Sequence, residues 1–460
     1  MLTSCIIFTL TITGCANTSA GNLFSHYTAQ MKALYEEVMY GDYEDAVNEL
    51  PEDNVAGDIL DNMEKGRVYL LNQEGEQSQK HFKLTDSAVK TYQDKAIVSL
   101  SETTTSLSAL ATNDNLTYYS PPDYELGFLH LYLGLNYLKS NDLEGALVEM
   151  RRANQVQEKA KKIREKDLQD AEEERQAQGV KPNLGNVISR YPNAGKKLQA
   201  VQNAYLLFLS GLLYETNDSL NDAWIDYNRA LALVPNNREV IQATLRVGDK
   251  LGMRDALAKL TKRYGQRDEL AKNQTRLIFI DEQGIVQAMQ ELKFSIPLYT
   301  PSGVALYSVA LPFYEEQGHN RYASLTVNGE SLSKPNHLTD VNLMAKNNLS
   351  EKILSVATRQ ILRVWAKDRI RETASAGNDF VNLGLNIWNT LTEHADTRSW
   401  ITLPSQVYTS SLIVESGKQT INVGSETYSF DTKAGNTVLI WSSRQGDGAV
   451  VWHKQLGAIE

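Results

Sequence analysis

The segment His394-Ala-Asp-Thr-Arg-Ser-Trp400 places an imidazole, a carboxylate, a guanidinium and a hydroxyl within seven residues. A catalytic site built from them would need a nucleophile, for which Ser399 or Ser405 is the candidate. The alternative is an ion pair between Asp396 and Arg398 that fixes a junction between a helix and a strand. We favour the ion pair, and the sequence therefore predicts no catalytic residue.

Other chemistry-bearing motifs are missing from the sequence. The seven histidines are scattered, and no two have the H-E-x-x-H spacing of a zinc site. The chain has no P-loop and no G-x-S-x-G nucleophile turn. Gly446-Asp-Gly448 lies between predicted strands and is predicted to be a hairpin turn rather than an anion-binding loop. We predict neither a metal site nor a cofactor.

Both cysteines, Cys5 and Cys15, lie at the N-terminus, so the rest of the chain has no disulfide framework and no thiolate metal site. An apolar run leads into Ile12-Thr-Gly-Cys15, which resembles a bacterial lipobox. The resemblance implies a signal peptide over residues 1–14 and acyl chains such as palmitate on Cys15, although residues 1–14 contain no Lys or Arg. Residues 15–22 would be a tether. By resemblance to the Gram-negative sorting rule, Ala16 directs the lipoprotein to the outer membrane, facing the periplasm.

Length and charge restrict the classes of partner. A chain of 460 residues is too long for one ordinary core. Its net charge of −10 gives no electrostatic attraction to nucleic acid or to an anionic membrane surface. No apolar run reaches the roughly 18–20 residues of a membrane-spanning helix. We therefore expect protein or peptide partners, and membrane attachment only through the lipid.

Two stretches, Asn203–Asn237 and Tyr124–Val156, each predict a pair of short helices. In both, a glycine is followed by alanines 12 and 19 residues later, where two helices would touch. This spacing resembles the tetratricopeptide repeat (TPR), which implies helical hairpins that stack into a binding surface. The signature residues are Gly134, Tyr137, Ala146 and Ala153 in the first stretch, and Gly211, Tyr214, Ala223, Ala230 and Pro235 in the second. Tyr214 and Tyr227 are expected to be core residues rather than contacts.

The repeats are interrupted, because Gly134 and Gly211 are 77 residues apart, not a multiple of the roughly 34-residue period. The insertion includes residues 149–178, whose mixed charges predict an exposed helix or, alternatively, a projecting arm that a partner grips. We predict one TPR-like helical region over residues 23–272. Its other predicted helices cover residues 23–40, 43–50, 58–71, 76–110, 238–251 and 254–264.

Residues 273–460 change to strand patterns and predict an α+β domain with two helices inserted in an antiparallel sheet. A turn is predicted at Asp281–Gly284 and a hairpin at Asn328-Gly329. Thr339 and Asp340 are predicted N-caps of a long helix that ends near residue 374, and residues 380–393 are predicted to form a core or interface helix. The predicted strands cover residues 275–280, 293–298, 303–312, 321–328, 406–415, 419–423, 427–430, 436–442 and 449–454.

The lipobox, the imperfect repeats, Leu338–Val341 and the run Ala395–Pro404 together resemble a family of TPR-containing outer-membrane lipoproteins of Gram-negative bacteria. Its most specific element is the Asp-Thr-Arg-Ser-Trp run, which marks Asp396, Arg398 and Trp400 as family-motif residues. The chain departs from the family at Val414–Gly417, which lacks the proline of a Pro-Gly turn. Family members are often encoded near a lipoprotein that activates penicillin-binding proteins, and the resemblance supplies no catalytic residue.

The leading hypothesis is a lipid-anchored scaffold for protein–protein interactions, active in envelope or peptidoglycan assembly. One alternative is a structural subunit of an envelope machine that uses the apolar helix at 380–393 as its interface. A second is a peptidoglycan-acting enzyme, which predicts a concave polar pocket around Asp396–Trp400. Partner identity, binding face and oligomeric state stay open at this point.

Overall fold

The computed structural model describes residues 25–51, 55–99, 118–177, 202–300, 303–315, 318, 321–332, 335–353, 356 and 394–459. Cys15, the tether and the predicted helix at 380–393 lie outside these residues. The same holds for residues 100–110 of one predicted helix and for the end of the long helix after residue 356.

The N-terminal part of the described chain is helical, as the sequence predicts. Most of its helices pack as consecutive hairpins, namely α4 with α5, α6 with α7, α8 with α9 and α10 with α11. None of the described helices is long and apolar enough to cross a membrane. The bounds are α1 Tyr27–Gln30, α2 Lys32–Tyr40, α3 Tyr43–Asn48, α4 Asp58–Leu71, α5 Gly75–Ser99, α6 Asp123–Lys139, α7 Leu143–Ala177, α8 Ala204–Thr216, α9 Leu220–Leu233, α10 Arg238–Lys250 and α11 Arg254–Tyr264.

Helix boundaries follow local chemistry. The Asn203 side chain accepts hydrogen bonds from the Tyr205 and Leu206 amides and caps α8. Pro235 comes two residues after the end of α9, because proline cannot continue a helix. The helix predicted over 23–40 is interrupted at Met31. The helix predicted to begin at residue 76 begins at Gly75, where a backbone amide needs no helical partner.

The signature glycines and alanines of both repeats lie where the hairpin helices touch. The alanines and Tyr227 are fully buried, and Tyr214 is 6% exposed, as expected for core residues. A Cβ added to Gly211 would lie 2.6 Å from the ring of Tyr227, and one added to Gly134 would lie 2.5 Å from the terminal methyl of Met150. Ala146, Ala153, Ala223 and Ala230 are the buried alanines.

We predict that Gly211→Ala lowers the free energy of unfolding by about 1–3 kcal/mol through overpacking. The Tyr227 ring cannot yield, since it is fully buried and its hydroxyl donates to Glu215. Gly134→Ala is the matched control: it meets a flexible methionine end and should cost less. Urea unfolding followed by circular dichroism measures both, and equal losses would contradict this account.

The C-terminal part of the described chain is rich in strands, which confirms the predicted mixed fold class. A five-stranded sheet has the order β11-β10-β1-β7-β6, a four-stranded sheet has the order β5-β4-β8-β9, and β2 pairs with β3. A helix that begins at residue 341 follows β6. The strands are β1 Gln274–Gln283, β2 Gln290–Thr300, β3 Gly303–Phe313, β4 Thr326–Val327, β5 Glu330–Ser331, β6 Asn336–Asp340, β7 Gln406–Glu415, β8 Gly417–Val423, β9 Glu426–Thr432, β10 Thr437–Gln445 and β11 Gly448–Gly457.

The sheets differ from the prediction in three details. The pair β1–β10 is parallel within an otherwise antiparallel sheet. The turn predicted at Asp281–Gly284 is wrong, because β1 continues to Gln283 and its acidic residues are buried among partners rather than exposed. Of the predicted strand at 321–328, only Thr326–Val327 forms a ladder. The hairpin at Asn328-Gly329 is confirmed, with φ of 52° and 85°.

Only one of the two predicted N-caps of the next helix is confirmed. Asp340 accepts a hydrogen bond from the Leu343 amide at 2.8 Å and is a true N-cap. Thr339 is not one, since it lies in β6 and its hydroxyl contacts the Tyr205 amide and Asn203 of α8. The residue thus joins the sheet to the second repeat.

The five-stranded sheet is covered on both faces. Alternate residues of β1, such as Ile278 and Ile280, pack in one core with the helices, whereas Leu277 and Phe279 pack against the four-stranded sheet. Every residue of β1 from Thr275 to Glu282 is buried, so its apolar centre packs on both faces and its buried charged residues need partners. The change from helices to strands near residue 272 therefore does not divide the packing, because helices and sheet share one core.

Candidate functional site

The segment His394–Pro404 is packed between the helices and the sheet. Arg398 donates to Asp396 through Nε at 2.9 Å and Nη2 at 2.7 Å, which confirms the predicted ion pair. The Arg398 side chain is 4% exposed. His394 points to Glu291 instead, with Nδ1 3.1 Å from a carboxylate oxygen, and the Ser405 hydroxyl donates to the Gln283 carbonyl. His394 and Ser405 are close in sequence, but their side chains contact different partners and do not form a nucleophile–base pair.

Trp400 lies at the centre of this packing. Its ring is fully buried and meets Phe82 and Tyr132 edge to face, with ring centroids 5.8 Å apart in both pairs. Its indole Nε1 donates to the Thr402 hydroxyl, and its backbone amide donates to Glu125 at 3.0 Å. The motif tryptophan is therefore an anchor that fixes the segment to α5 and α6.

Two buried carboxylates hold the backbone of the motif segment. Glu125 of α6 accepts from the Trp400 amide and from two tyrosine hydroxyls. Glu64 of α4 accepts from the Ile401 amide at 2.8 Å and from the Thr402 hydroxyl at 2.6 Å. Burial raises the pKa of Glu64 to about 8, against the lowering effect of these donors.

A third buried carboxylate, Glu282 of β1, receives donors from the helices. Arg67 of α4 binds it at 2.7 Å with both side chains fully buried. The hydroxyls of Tyr132 and Tyr205 donate to it from α6 and α8. The inner face of the hairpin array is thus occupied by the sheet of the same chain, and it is not an open groove for a partner.

The raised pKa of Glu64 predicts a pH-dependent stability. The native state keeps a proton that the unfolded chain, with a pKa near 4.5, releases. The stabilisation is therefore complete below pH 4.5 and is lost as the pH rises through about 8. The slope contributed by this group approaches about 1.4 kcal/mol per pH unit.

Glu64→Gln should reduce that slope, measured as the free energy of unfolding by urea across this pH range. The exposed Glu44→Gln is the control and should leave the profile unchanged. Parallel profiles for Glu64→Gln and the original chain would contradict the assignment.

An open groove lies between the start of α5 and the end of α6. Its volume is about 800 Å³. Lys80 and Lys83 of α5 and Lys139 of α6 line it, and none of them pairs with a carboxylate among the described residues. Partial burial lowers the pKa of Lys139, and the Lys83 ammonium lies 5.2 Å from the centroid of the Tyr137 ring. Tyr137 is the signature residue that contributes to a surface.

Polar groups without partners lie along the same groove. Both atoms of the Gln79 side-chain amide are buried and have no hydrogen-bond partner among the described residues. Asn136 is 6% exposed, and its Nδ2 donates to Ser78 while its Oδ1 is unpaired. Because buried polar groups are normally hydrogen-bonded, this wall is suited to a ligand that supplies donors and acceptors.

Sequence patterns contained a signal for the buried carboxylates. Leu60, Glu64, Arg67 and Leu71 follow one another at helical spacings of four, three and four, so two charged residues lie on the apolar face of α4. Charges on an apolar stripe indicate buried partners. The groove had no such signal, because its two walls come from different hairpins.

Comparisons with solved structures give weak similarity. A MamA structure (AMB-1) is 13% identical, with 51% of this chain and 88% of that chain covered and a TM-score of 0.29. A second MamA crystal structure is 11% identical, with 53% and 91% covered and a TM-score of 0.29. The TPR2AB domain of yeast Sti1 in complex with pHSP90 is 12% identical, with 51% and 87% covered and a TM-score of 0.19. TM-scores this low support no argument about function.

Searches by sequence find no relatives. No protein-family model matches the chain, and no curated protein matches it.

Proposed function

We propose that this chain is a non-catalytic scaffold for protein–protein interactions, held at the outer membrane by a lipid on Cys15 and facing the periplasm. The observation that carries the binding role is a contrast between two surfaces. The polar groups between the helices and the sheet bind one another, whereas the groove between α5 and α6 keeps three lysines without carboxylate partners among the described residues. Polar side chains that bond to one another inside the protein stabilise the fold, whereas exposed charged side chains without ion-pair partners are available to bind another molecule.

The packing of the family motif favours a scaffold over a hydrolase. A catalytic serine needs a base within hydrogen-bond reach, and the Ser405 hydroxyl donates to the Gln283 backbone carbonyl instead. Trp400 packs against Phe82 of α5 and Tyr132 of α6, and Arg398 pairs with Asp396, so both residues serve internal packing. A chain with an open groove suits an adaptor in envelope or peptidoglycan assembly.

The membrane attachment rests on the sequence Ile12-Thr-Gly-Cys15. Feeding cells an alkyne analogue of palmitate and separating inner and outer membranes tests it. Cys15→Ser should lose the label and leave the outer-membrane fraction, whereas Cys5→Ser should keep both. A Cys15→Ser protein that retains the label would exclude this anchor.

The scaffold role is tested by crosslinking in intact cells followed by purification. Deleting residues 273–460 would expose the core that helices and sheet share, so surface variants are the sharper tool. We expect the same envelope proteins to be captured repeatedly by the original chain and not by an unrelated outer-membrane lipoprotein. If the two captures cannot be distinguished, the chain is not a scaffold.

A further inference from the structure

We infer that the groove between α5 and α6 binds a short acidic segment of a partner protein. This inference rests on the proposed scaffold role and names the chemistry of its partner. Three features of the groove support it: its charge, its polar wall and its apolar surface.

The charge of the groove is opposite to that of the chain. Lys80, Lys83 and Lys139 line it together with a single described carboxylate, Glu76, whereas the whole chain carries a net charge of −10. Ammonium groups without ion-pair partners attract carboxylates at short range. The surrounding negative field repels large polyanions, so a bound anion must gain specific contacts inside the groove.

The polar wall distinguishes a peptide from a simple anion. Gln79 offers an unpaired donor and an unpaired acceptor, whichever way its amide is turned. The acceptor needs an N–H or O–H group, which a carboxylate or a fully ionised phosphate lacks. A peptide backbone supplies both N–H and C=O, as in extended peptides bound along protein edges. Pairing a buried amide recovers about 1–3 kcal/mol that is lost while it is unsatisfied.

Apolar surface completes the groove. Leu84 is 46% exposed, and it lines the groove together with Tyr137, whose ring contacts Lys83. A volume of about 800 Å³ lies within the range of small-ligand sites, roughly 300–1,000 Å³. The groove therefore fits a few residues, with acidic side chains on the lysines and one apolar side chain on Leu84.

Fluorescence anisotropy with the labelled peptide Glu-Glu-Asp-Leu-Glu-Leu-Asp-Glu and the full chain in detergent tests the inference. We expect saturable binding that weakens as salt is raised, because exposed charges are screened. The same peptide with Gln and Asn in place of its acidic residues should not bind. Failure of the acidic peptide to bind, or equal binding of the amide peptide, would overturn the inference.

The chain offers a matched pair of variants. Lys80→Glu with Lys83→Glu reverses two charges three residues apart on α5 inside the groove. Lys259→Glu with Lys262→Glu reverses two exposed charges with the same spacing on α11. We expect the groove variant to weaken peptide binding about tenfold or more and the α11 variant to leave it unchanged. Equal weakening by both would show nonspecific attraction and overturn the site.

Inorganic phosphate and vesicles with anionic lipid test whether the groove binds a simple anion or a lipid headgroup instead of a peptide. Displacement of the peptide by phosphate at an ionic strength where chloride has no effect would indicate a bare anion site and overturn the peptide inference. If the original chain binds these vesicles and the groove variant does not, the groove is a lipid headgroup site, which would also overturn the peptide inference. The scaffold role is tested separately: partners that still crosslink to the groove variant would keep the scaffold and refute the groove.

Discussion

Arg67→Met should lower the free energy of unfolding by about 3–5 kcal/mol, although a buried charge is replaced by an apolar side chain of similar length. The Arg67 guanidinium donates to Glu282 at 2.7 Å and to Ser443 at 2.8 Å, and its centre lies 4.6 Å from the centroid of the Tyr132 ring. Without it, the fully buried Glu282 carboxylate would receive hydrogen bonds only from neutral donors. The loss is the cost of an unpaired charge rather than the strength of one bond.

Two further variants make this prediction specific. Arg67→Met combined with Glu282→Gln removes both charges and should recover part of the loss. Arg238→Met breaks an exposed pair with Asp268, whose side chains are 53% and 32% exposed, and should cost less than about 1 kcal/mol. Urea unfolding by circular dichroism compares the three. If Arg67→Met costs no more than Arg238→Met, the pair does not join helices and sheet.

Trp400→Ala should lower the free energy of unfolding by about 3–5 kcal/mol. The substitution empties a fully buried site between Phe82 and Tyr132 and leaves Thr402 without its indole donor. Trp400→Phe keeps a ring and should cost less. Trp224→Ala, at a partly buried tryptophan of α9, is the matched control with a smaller expected loss.

The Trp400 variants also separate a structural motif from a binding motif. If the motif contacted a ligand, Trp400→Ala would abolish binding while the unfolding midpoint stayed near that of the original chain. We expect the reverse, with a lower midpoint and with groove-peptide affinity retained below that midpoint. If Trp400→Ala keeps its stability but loses peptide binding, the segment around Trp400 is a binding site.

Much of the fold could be predicted from local patterns. The glycine and alanine spacing of the repeats identified helix contacts at Gly211 and Gly134, because only small residues allow that approach. Asn328-Gly329 identified a hairpin, because both residues accept positive φ. Asp396 and Arg398 are two residues apart, so their ion pair required no knowledge of distant chain segments.

What could not be predicted depends on contacts between distant segments. Asp281 and Glu282 suggest a turn by type, and only Arg444 and Arg67, far away in the chain, show why they are buried in a strand. Thr339 has the composition of a cap but contacts α8. The lysine groove likewise combines two hairpins, so neither segment indicates it alone.

The contact between the turn at Gly41 and the turn at Gly446–Gly448 sets the order in which this chain can mature. The two turns lie about 400 residues apart in sequence, yet a Cβ on Gly41 would lie 2.3 Å from the Gln445 carbonyl. Strand β1 likewise lies between β10 and β7, which are both made later. A chain synthesised from its N-terminus therefore completes its helices while their sheet partners are still absent. Final assembly waits for the last strands, so such non-local closure predicts slow folding.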